Sequence, residues 1–380
     1  MKKGRKLWLT ASGLVFAIMP LTMGASPVSS TPSVPFYVNE GWDASWSYNP
    51  FASNAMTFST LVVLPLAYQL RPKDNYEAML ANKWTVTPKT ITIDLRPGVK
   101  WQNGSVVTSR DVIDTFAIYG AESDLIGAQN GITNMKAPNA REVVFSLKPG
   151  TNTRTALKNI LGTTLVPSSE YGKFVTSALL KNDLIANSGG SGPAVSKAAA
   201  YTKTAMTRVL KFQPKTLVGD GPYQVTGMTT NEAILKKYAG FYGARNIHVP
   251  EIDVLAADTN PQGWAEMAAN KTDYAWTGAS ISVLKSWKTN PYHKTKLVWD
   301  WSTYNWYFNS KHYPLNMTGV RQAIAYVLNR PELTKIGNGF MRNAPTPVPT
   351  GLQQVIQNEW ITPKELASFH KYAYNPASAS

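Results

Sequence analysis

Apolar and polar residues alternate over Trp84–Val86 and again over Thr90–Leu95, the period-two pattern of half-buried strands. Pro97-Gly98 turns the chain before a third short run, Val99–Trp101, and Asn103-Gly104 has the chemistry of a tight turn. The period then changes. Thr108-Ser109-Arg110-Asp111 offers a hydroxyl N-cap and an acid in the first turn, and Val112, Phe116 and Tyr119 follow at helical spacing. Leu61–Leu70 reads as a short helix, Glu142–Leu147 as a strand ending at Pro149-Gly150, and 184–204, rich in Ala, Gly and Ser, as a flexible loop or linker. Further strands are expected over Ala233–Lys237, Ile252–Ala257, Asp273–Trp276, Leu297–Trp301 and Trp306–Asn309. Helices are expected over Pro261–Ala269 and Val320–Leu328, the latter stopped by Pro331. Helices and strands intermix without an internal repeat, so the class is α/β or α+β.

The first thirty residues break this pattern. Lys2, Lys3, Arg5 and Lys6 precede an apolar stretch from Leu7 to Leu21, and small residues follow from Gly24 to Ser30. This is the layout of a secretory signal, with cleavage expected between Gly24 and Ser30; an uncleaved anchor is the competing reading. Both place the body outside the cytoplasm. No later segment reaches spanning length without charge.

Composition narrows the chemistry. With 43% hydrophobic and 16% charged residues, the 380-residue chain reads as globular and long enough for two or three domains. Lys+Arg 38 against Asp+Glu 23 gives +15; setting aside the four N-terminal cations leaves 34 − 23 = +11. The remaining cations are scattered along the sequence, without the dense block that nucleic-acid binding requires. A weakly charged, mildly basic exterior suits an acidic medium, where carboxylates are partly protonated. Cysteine is absent, which excludes disulfides, thiolate metal sites, cysteine nucleophiles and cysteine acylation. The four histidines stand in no metal-binding spacing, and G-x-S-x-G is missing. Ser282-Val283-Leu284-Lys285 matches S-x-x-K by chance, without its partner motifs. No catalytic, cofactor-binding or metal-ligating residue is assigned.

Aromatic residues carry the remaining signal. Trp42, Trp46 and Tyr48 fall within seven residues, with Asn49 next; Trp299, Trp301, Tyr304, Trp306 and Tyr307 fall within nine. Such rings combine an apolar face with a polar tip, suited to a ligand wall, although core packing accounts for any single one.

Several ordered blocks resemble a known family. Ala81-Asn82-Lys83-Trp84, Ile93-Asp94-Leu95-Arg96-Pro97-Gly98-Val99-Lys100-Trp101, Asn103-Gly104 and Thr108-x-x-Asp111-Val112 come first. Gly219-Asp220-Gly221-Pro222-Tyr223, then Phe308-Asn309 with Val320–Arg330, and Tyr374-Asn375-Pro376 follow in order. Together they resemble solute-binding protein family 5, the extracytoplasmic receptors of peptide, nickel and oligosaccharide ABC transporters. Asn103, Asp220 and Asn329 depart from the family's usual Asp, Thr and Asp. Family members continue beyond the Tyr374 block, so a C-terminally truncated chain is expected.

The resemblance implies a two-lobed periplasmic-binding-protein-like α/β fold of type II, with an inserted subdomain and an incomplete second lobe. The expected division is 1–30 signal peptide, 31–58 plus 216–265 lobe I, 59–215 the insert and 266–380 lobe II. It further implies a non-enzymatic, cofactor-free receptor that captures oligopeptides in an interlobe cleft and hands them to a membrane permease. It would be a monomer, exported and not a lipoprotein, with no nucleic-acid partner. Oligosaccharide capture is the alternative within the family, a non-binding exported fragment the rival outside it, and an exported hydrolase a more distant one. In the family, the N-terminal strand-to-loop segment and the segment before Phe308-Asn309 approach the ligand. The expected contacts are therefore Trp46, Asn49, Trp301, Tyr304 and Trp306, then Trp42 and Tyr48.

Overall fold

The computed structural model describes residues 35–40, 46–56, 60–70, 75–122, 130–256, 260–275, 279–291, 293–296, 306–336 and 361–379. They fall into two compact units, one within 25–276 and the other within 277–380. Among the described residues no helix is long and apolar enough to cross a membrane.

The first unit is built on two larger sheets. Strands β1 (Phe36–Glu40), β8 (Tyr223–Met228), β9 (Glu232–Lys237), β10 (Glu251–Ala256) and β11 (Tyr274–Ala275) form one sheet in the order β11-β1-β10-β9-β8. β1 runs parallel to β10, with Phe36 opposite Ile252 and Val38 opposite Val254. The N-terminal strand is thus inserted beside a segment more than 200 residues later. Between them in sequence lie a two-stranded ribbon of β2 (Ala67–Leu70) and β3 (Asn75–Ala78), and a second sheet. This antiparallel sheet has the order β4-β5-β7-β6, from β4 (Ala81–Val86), β5 (Thr90–Leu95), β6 (Ile132–Asn139) and β7 (Glu142–Leu147).

The alternation on β5 and β7 sets the second sheet's inner face. Ile91, Ile93 and Leu95 are buried, as are Val143, Phe145 and Leu147, with Ile91 opposite Phe145 and Ile93 opposite Val143. Such cross-strand apolar pairs are the unit of sheet stability. Helix α1 (Ser109–Glu122) packs on the sheet through Phe116, whose ring meets Phe145 edge-on at 5.0 Å. Its start follows the motif: the Asp111 carboxylate accepts the Thr108 N–H at 2.6 Å and the Ser168 N–H at 2.6 Å. One side chain therefore caps the helix and ties down the start of a later one. Helices α2 (Thr153–Leu161), α3 (Ser168–Tyr171), α4 (Ser177–Ala186), α5 (Pro193–Leu210) and α6 (Asn260–Ala268) complete the unit.

Three expectations are corrected here. Leu61–Leu70 is not a helix: after a turn at Leu61 the chain becomes extended and enters β2, because Pro65 has no N–H to donate and restricts Leu64. The stretch 184–204 is no flexible linker beyond Gly192. Pro193 opens an 18-residue helix at its first position, and alanine, the strongest helix former, fills it. Residues 306–309 form no strand; the expected strand over 297–301 lies outside the described residues.

The two sheets are clasped where two family-like blocks meet. The N–H groups of Asp220 and Gly221 both donate to the Val62 carbonyl, at 3.1 and 2.8 Å. Gln102 closes the other side. Its N–H donates to the Gly219 carbonyl at 2.8 Å, its Oε1 accepts the Gly219 N–H at 3.1 Å, and its Nε2 donates to the Tyr223 carbonyl at 2.7 Å. This approach requires glycine: a Cβ on Gly221 would stand 2.7 Å from the Val62 oxygen, and one on Gly219 would collide with the same atom. Asp220 lies beneath the clasp, 1% exposed, with Oδ1 accepting the Leu64 N–H at 2.8 Å. Its Oδ2 has no hydrogen-bond partner among the described residues.

The second unit is helical where described: α7 (Ile281–Lys288), α8 (Thr318–Val327), α9 (Arg330–Ile336) and α10 (Pro363–Ser368). α10 opens on a capping box between Thr362 and Glu365. The C-terminal segment is tied to α8 and α9. The Tyr326 hydroxyl lies 2.6 Å from His370 Nε2, Arg330 donates to the Tyr372 carbonyl at 2.9 Å, and the Asn375 N–H donates to the Tyr326 carbonyl at 2.9 Å. The Tyr374-Asn375-Pro376 block is therefore packed against the Val320–Arg330 block it accompanies in sequence.

Two outcomes follow from the clasp and the buried acids. Gly219→Ala forces Val62 and the Gly219–Gly221 segment apart and is expected to cost about 2 kcal/mol or more; urea unfolding reads this directly. Asp220 and Asp183, the latter fully buried on α4 with neither oxygen hydrogen-bonded among the described residues, are each pushed up to about 8 by desolvation. Near Asp220, its own backbone N–H and that of Leu64 oppose the shift, while Asp111 adds to it. An unfolded aspartate titrates near ~4, so between about pH 4 and 8 the folded state binds more protons. Stability is then full at the acid end and falls as pH rises, by up to ~1.4 kcal/mol per pH unit for each group. Melting temperature measured from pH 8 to 5 is expected to rise, and Asp183→Asn and Asp220→Asn each to flatten the slope.

Candidate functional site

The N-terminal aromatic group sits on a short looped segment, 46–56, that leaves the sheet after β1. Backbone bonds hold the loop closed: the Ser47 N–H donates to the Asn54 carbonyl at 2.8 Å and the Ala52 N–H to the Asn49 carbonyl at 3.1 Å. Asn49 then pins it to the helical layer. Its Nδ2 donates to the carbonyls of Val209 and Phe212, at 2.8 and 3.1 Å, across 160 residues of sequence. Its Oδ1 accepts the Phe51 N–H at 3.1 Å and faces the Tyr171 hydroxyl at 3.5 Å. The side chain is 0% exposed. Both amide protons and the carbonyl are thus spent on the protein itself.

That anchoring fixes what the neighbouring rings present. Phe51 is buried, edge-on to Tyr119 at 5.0 Å and Tyr171 at 5.7 Å. Trp46 and Tyr48 are half-buried, each with one side against the core and the other toward solvent. Tyr48 lines a mostly apolar hollow of about 400 Å³, counting its open mouth, with Val63, Pro167, Tyr171 and Val218 among its walls. Burial raises the Tyr48 hydroxyl's pKa, so it remains a neutral donor.

The second aromatic group belongs to the other unit. Trp306 is 66% exposed and Tyr307 90% exposed. The chain turns immediately after them: Asn309 Oδ1 accepts the Lys311 N–H at 3.2 Å, and the Asn309 carbonyl accepts the His312 N–H at 3.1 Å. Arg321 donates to the Leu315 carbonyl at 2.7 Å and to the Thr318 hydroxyl at 3.0 Å, holding the loop before α8. Trp42, Trp301 and Tyr304 lie outside the described residues.

Of the expected contacts, Trp46, Asn49 and Tyr48 share one loop, with Asn49 turned inward, and Trp306 stands exposed on the second unit. Tyr307 is the residue that sequence reasoning passed over. It stands beside Trp306 in the second aromatic group but is not among the expected contacts, and the strand expected over 306–309 does not form. Among the described residues there is no cluster of three or more His, Asp or Glu that could hold a metal ion.

Known structures share this architecture. The mannohexaose-bound periplasmic oligopeptide-binding protein of an oligopeptide ABC transporter from Thermotoga maritima matches with a TM-score of 0.66 at 22% identity. The match covers 92% of this chain and 61% of that one. The oligopeptide-binding protein of Bacillus subtilis, solved with a nonapeptide, matches with a TM-score of 0.61 at 16% identity, covering 91% and 62%. A Campylobacter jejuni protein solved with Ni(L-His) gives 0.58 at 18%, covering 91% and 61%. These likenesses show a mixed α/β fold of the two-lobed periplasmic solute-binding kind, and the chain spans about 61% of the length of these proteins. A search of curated proteins finds no match. The sequence model of the bacterial extracellular solute-binding proteins, family 5 Middle, matches residues 75–380, so the chain belongs to this family of solute-binding proteins of ABC transporters.

Proposed function

We propose that the chain captures a small solute outside the cytoplasm, an oligopeptide in the first place, and presents it to an ABC-transporter permease. The observation that carries this reading is the pairing of family membership with rings left open to solvent. Trp306 and Tyr307 are exposed, and Trp46 and Tyr48 keep part of each ring outside the core they pack on, where an apolar face with a polar tip can meet an amphipathic ligand. Trp46, Tyr48 and Trp306 are the proposed contacts, with Trp42, Trp301 and Tyr304 beside them in sequence and Tyr307 added. Asn49 enters as the residue that fixes the loop carrying Trp46 and Tyr48. The lobe assignment is part of the proposal: 31–58 with 216–265, the insert 59–215, and 266–380. It is supported by the pairing of β1 with β10 and by the separate sheet lying between them in sequence. Capture in an interlobe cleft, export by the N-terminal signal, a monomeric state and the absence of catalysis belong to the same reading.

Oligosaccharide capture is the second reading. It is favoured by the flat, exposed Trp306 ring and by the mannohexaose held by the Thermotoga maritima protein.

Tryptophan fluorescence and calorimetry with oligopeptides of three to nine residues, and in parallel with manno-oligosaccharides, separate the readings. Saturable peptide binding, weakened about tenfold or more by Trp46→Ala and by Trp306→Ala, is the expected result. Tighter binding of the sugars transfers the proposal to the second reading. Silence toward both, from a chain shown to be folded, leaves the non-binding fragment. Asn49→Ala removes the donor to the Val209 and Phe212 carbonyls, of which Val209 keeps the Phe212 N–H, and is expected to cost about 1–3 kcal/mol in urea unfolding. Asn49→Asp should do no better, since a carboxylate has no proton to donate to them.

A further inference from the structure

Helix α5 carries a surface that solute capture does not use. Between Leu184 and Gly219 the chain has no Asp or Glu but has Lys197, Lys203, Arg208, Lys211 and Lys215, all exposed. The fold gathers charges that look scattered in the sequence. Ala198, Thr202, Ala205, Met206 and Val209 face the core. On the outer side Lys197, Tyr201, Thr204, Arg208 and Lys211 recur at intervals of four, three, four and three, which makes one stripe along the helix. At 1.5 Å per residue it runs for about 21 Å. None of its cations forms an ion pair among the described residues.

The neighbouring elements do not cancel this field. α4 adds exposed Lys181, and its acid, Asp183, is buried and held neutral by desolvation through most of the pH range below about 8. Lys173 is exposed over the Phe212 ring at 3.8 Å. On α1, Asp114 is paired with Arg110 at 2.7 Å and Asp111 is spent on the Thr108 and Ser168 N–H groups; Glu122, at the end of α1, and the half-buried Glu170 are the further acids here, and burial raises the pKa of both. An aromatic ring interrupts the charge: Tyr201, 37% exposed, stands within the stripe between Lys197 and Thr204.

We propose that this face of α4 and α5 docks the protein on a membrane surface rich in anionic phospholipid headgroups. Charge complementarity supplies the attraction, and each Lys or Arg brought to such a surface strengthens binding about fivefold. Tyr201, within the stripe, selects a lipid surface over a soluble polyanion, because an amphipathic ring gains at the headgroup–acyl boundary and gains little on a hydrated polymer. A contact of this kind is reversible and salt-sensitive.

The test uses the full chain with sucrose-loaded vesicles, either 30 mol% phosphatidylglycerol in phosphatidylcholine or phosphatidylcholine alone. The apolar N-terminal stretch contributes equally to every variant, so comparison among variants isolates the helix face. Lys197→Gln/Arg208→Gln/Lys211→Gln is expected to weaken binding to the anionic vesicles about a hundredfold, as is 0.5 M salt. Lys89→Glu/Lys136→Glu/Lys148→Glu, on exposed positions of the second sheet, should change it less than the stripe variant despite its larger change in net charge. A local reading comes from the absence of native cysteine: an environment-sensitive fluorophore on Thr204→Cys should shift to the blue with anionic vesicles, and one on Thr85→Cys should not. Equal or greater loss in the second-sheet variant overturns the proposal, as does an unshifted probe at Thr204. So does binding to soluble polyphosphate without binding to vesicles.

Discussion

Two backbone N–H groups, those of Asp220 and Gly221, converge on the carbonyl of Val62, and much of the first unit is organised around that crossing. It joins the turn before β2 to the strand that enters β8. The chain leaves the first sheet after β1, builds the ribbon, the second sheet and helices α1 to α5, and returns through this point. A close backbone approach leaves no room for a Cβ, which is why glycines flank Asp220. It also leaves groups on the far side to be satisfied, and Gln102 does so with three hydrogen bonds from one residue. Two sequence blocks more than a hundred residues apart are therefore one structural device. Their glycines and amide are explained by backbone hydrogen bonding without any ligand.

The clasp carries an electrostatic consequence. Asp220 occupies a position where the family's usual residue is Thr, a neutral side chain. A carboxyl there resembles a neutral group only while it is protonated, and burial keeps it so up to about pH 8. Asp183 follows the same logic on α4. Neither acid has an ion-pair partner among the described residues, so protonation is what makes both burials tolerable. This agrees with the sparse acidic exterior: a molecule with few surface carboxylates and neutral buried ones loses little on acidification. The usual route of acid denaturation, protonating carboxylates that are paired in the native state, has few targets here.

Legibility in the sequence followed the kind of interaction that decides each element. β5, β7 and α1 were readable because a binary pattern meets a single buried face, and the Thr108–Asp111 cap marks the helix start locally. α5 was missed because a run of Gly and Ser leads into it, while its own alanines were read with them as linker; Pro193 at the first helical position was the available signal. The expected helix over Leu61–Leu70 failed because apolar content was counted without weighing Pro65 and the demand of Asp220 and Gly221 on Val62. Asn49 was taken for a ligand contact by its place beside Trp46 and Tyr48. Its partners, the Val209 and Phe212 carbonyls, are set by tertiary structure and leave no local trace.

The same accounting separates what holds the fold from what is free to act. Asn49 and Gln102 spend their polar atoms on backbone groups of their own unit, and Arg96 donates to the carbonyls of Met79 and Ala78 while stacking over Tyr242 at 4.7 Å. Arg321 and Arg330, in the second unit, are spent in the same way. A side chain so engaged cannot turn to a ligand without leaving buried carbonyls unpaired, at a cost of about 1–3 kcal/mol each. Recognition therefore falls to groups whose faces remain open, and these are of two chemical kinds. Rings with a polar tip, Trp46, Tyr48, Trp306 and Tyr307, suit a small amphipathic solute through area and stacking, which salt barely affects. The cations of α5 suit an extended anionic surface through a field that salt screens within about 10 Å at 0.1 M. Because the two respond to different physical variables, the proposed solute capture and the proposed residence at a membrane surface are separable by salt: raising ionic strength weakens the second and leaves the first.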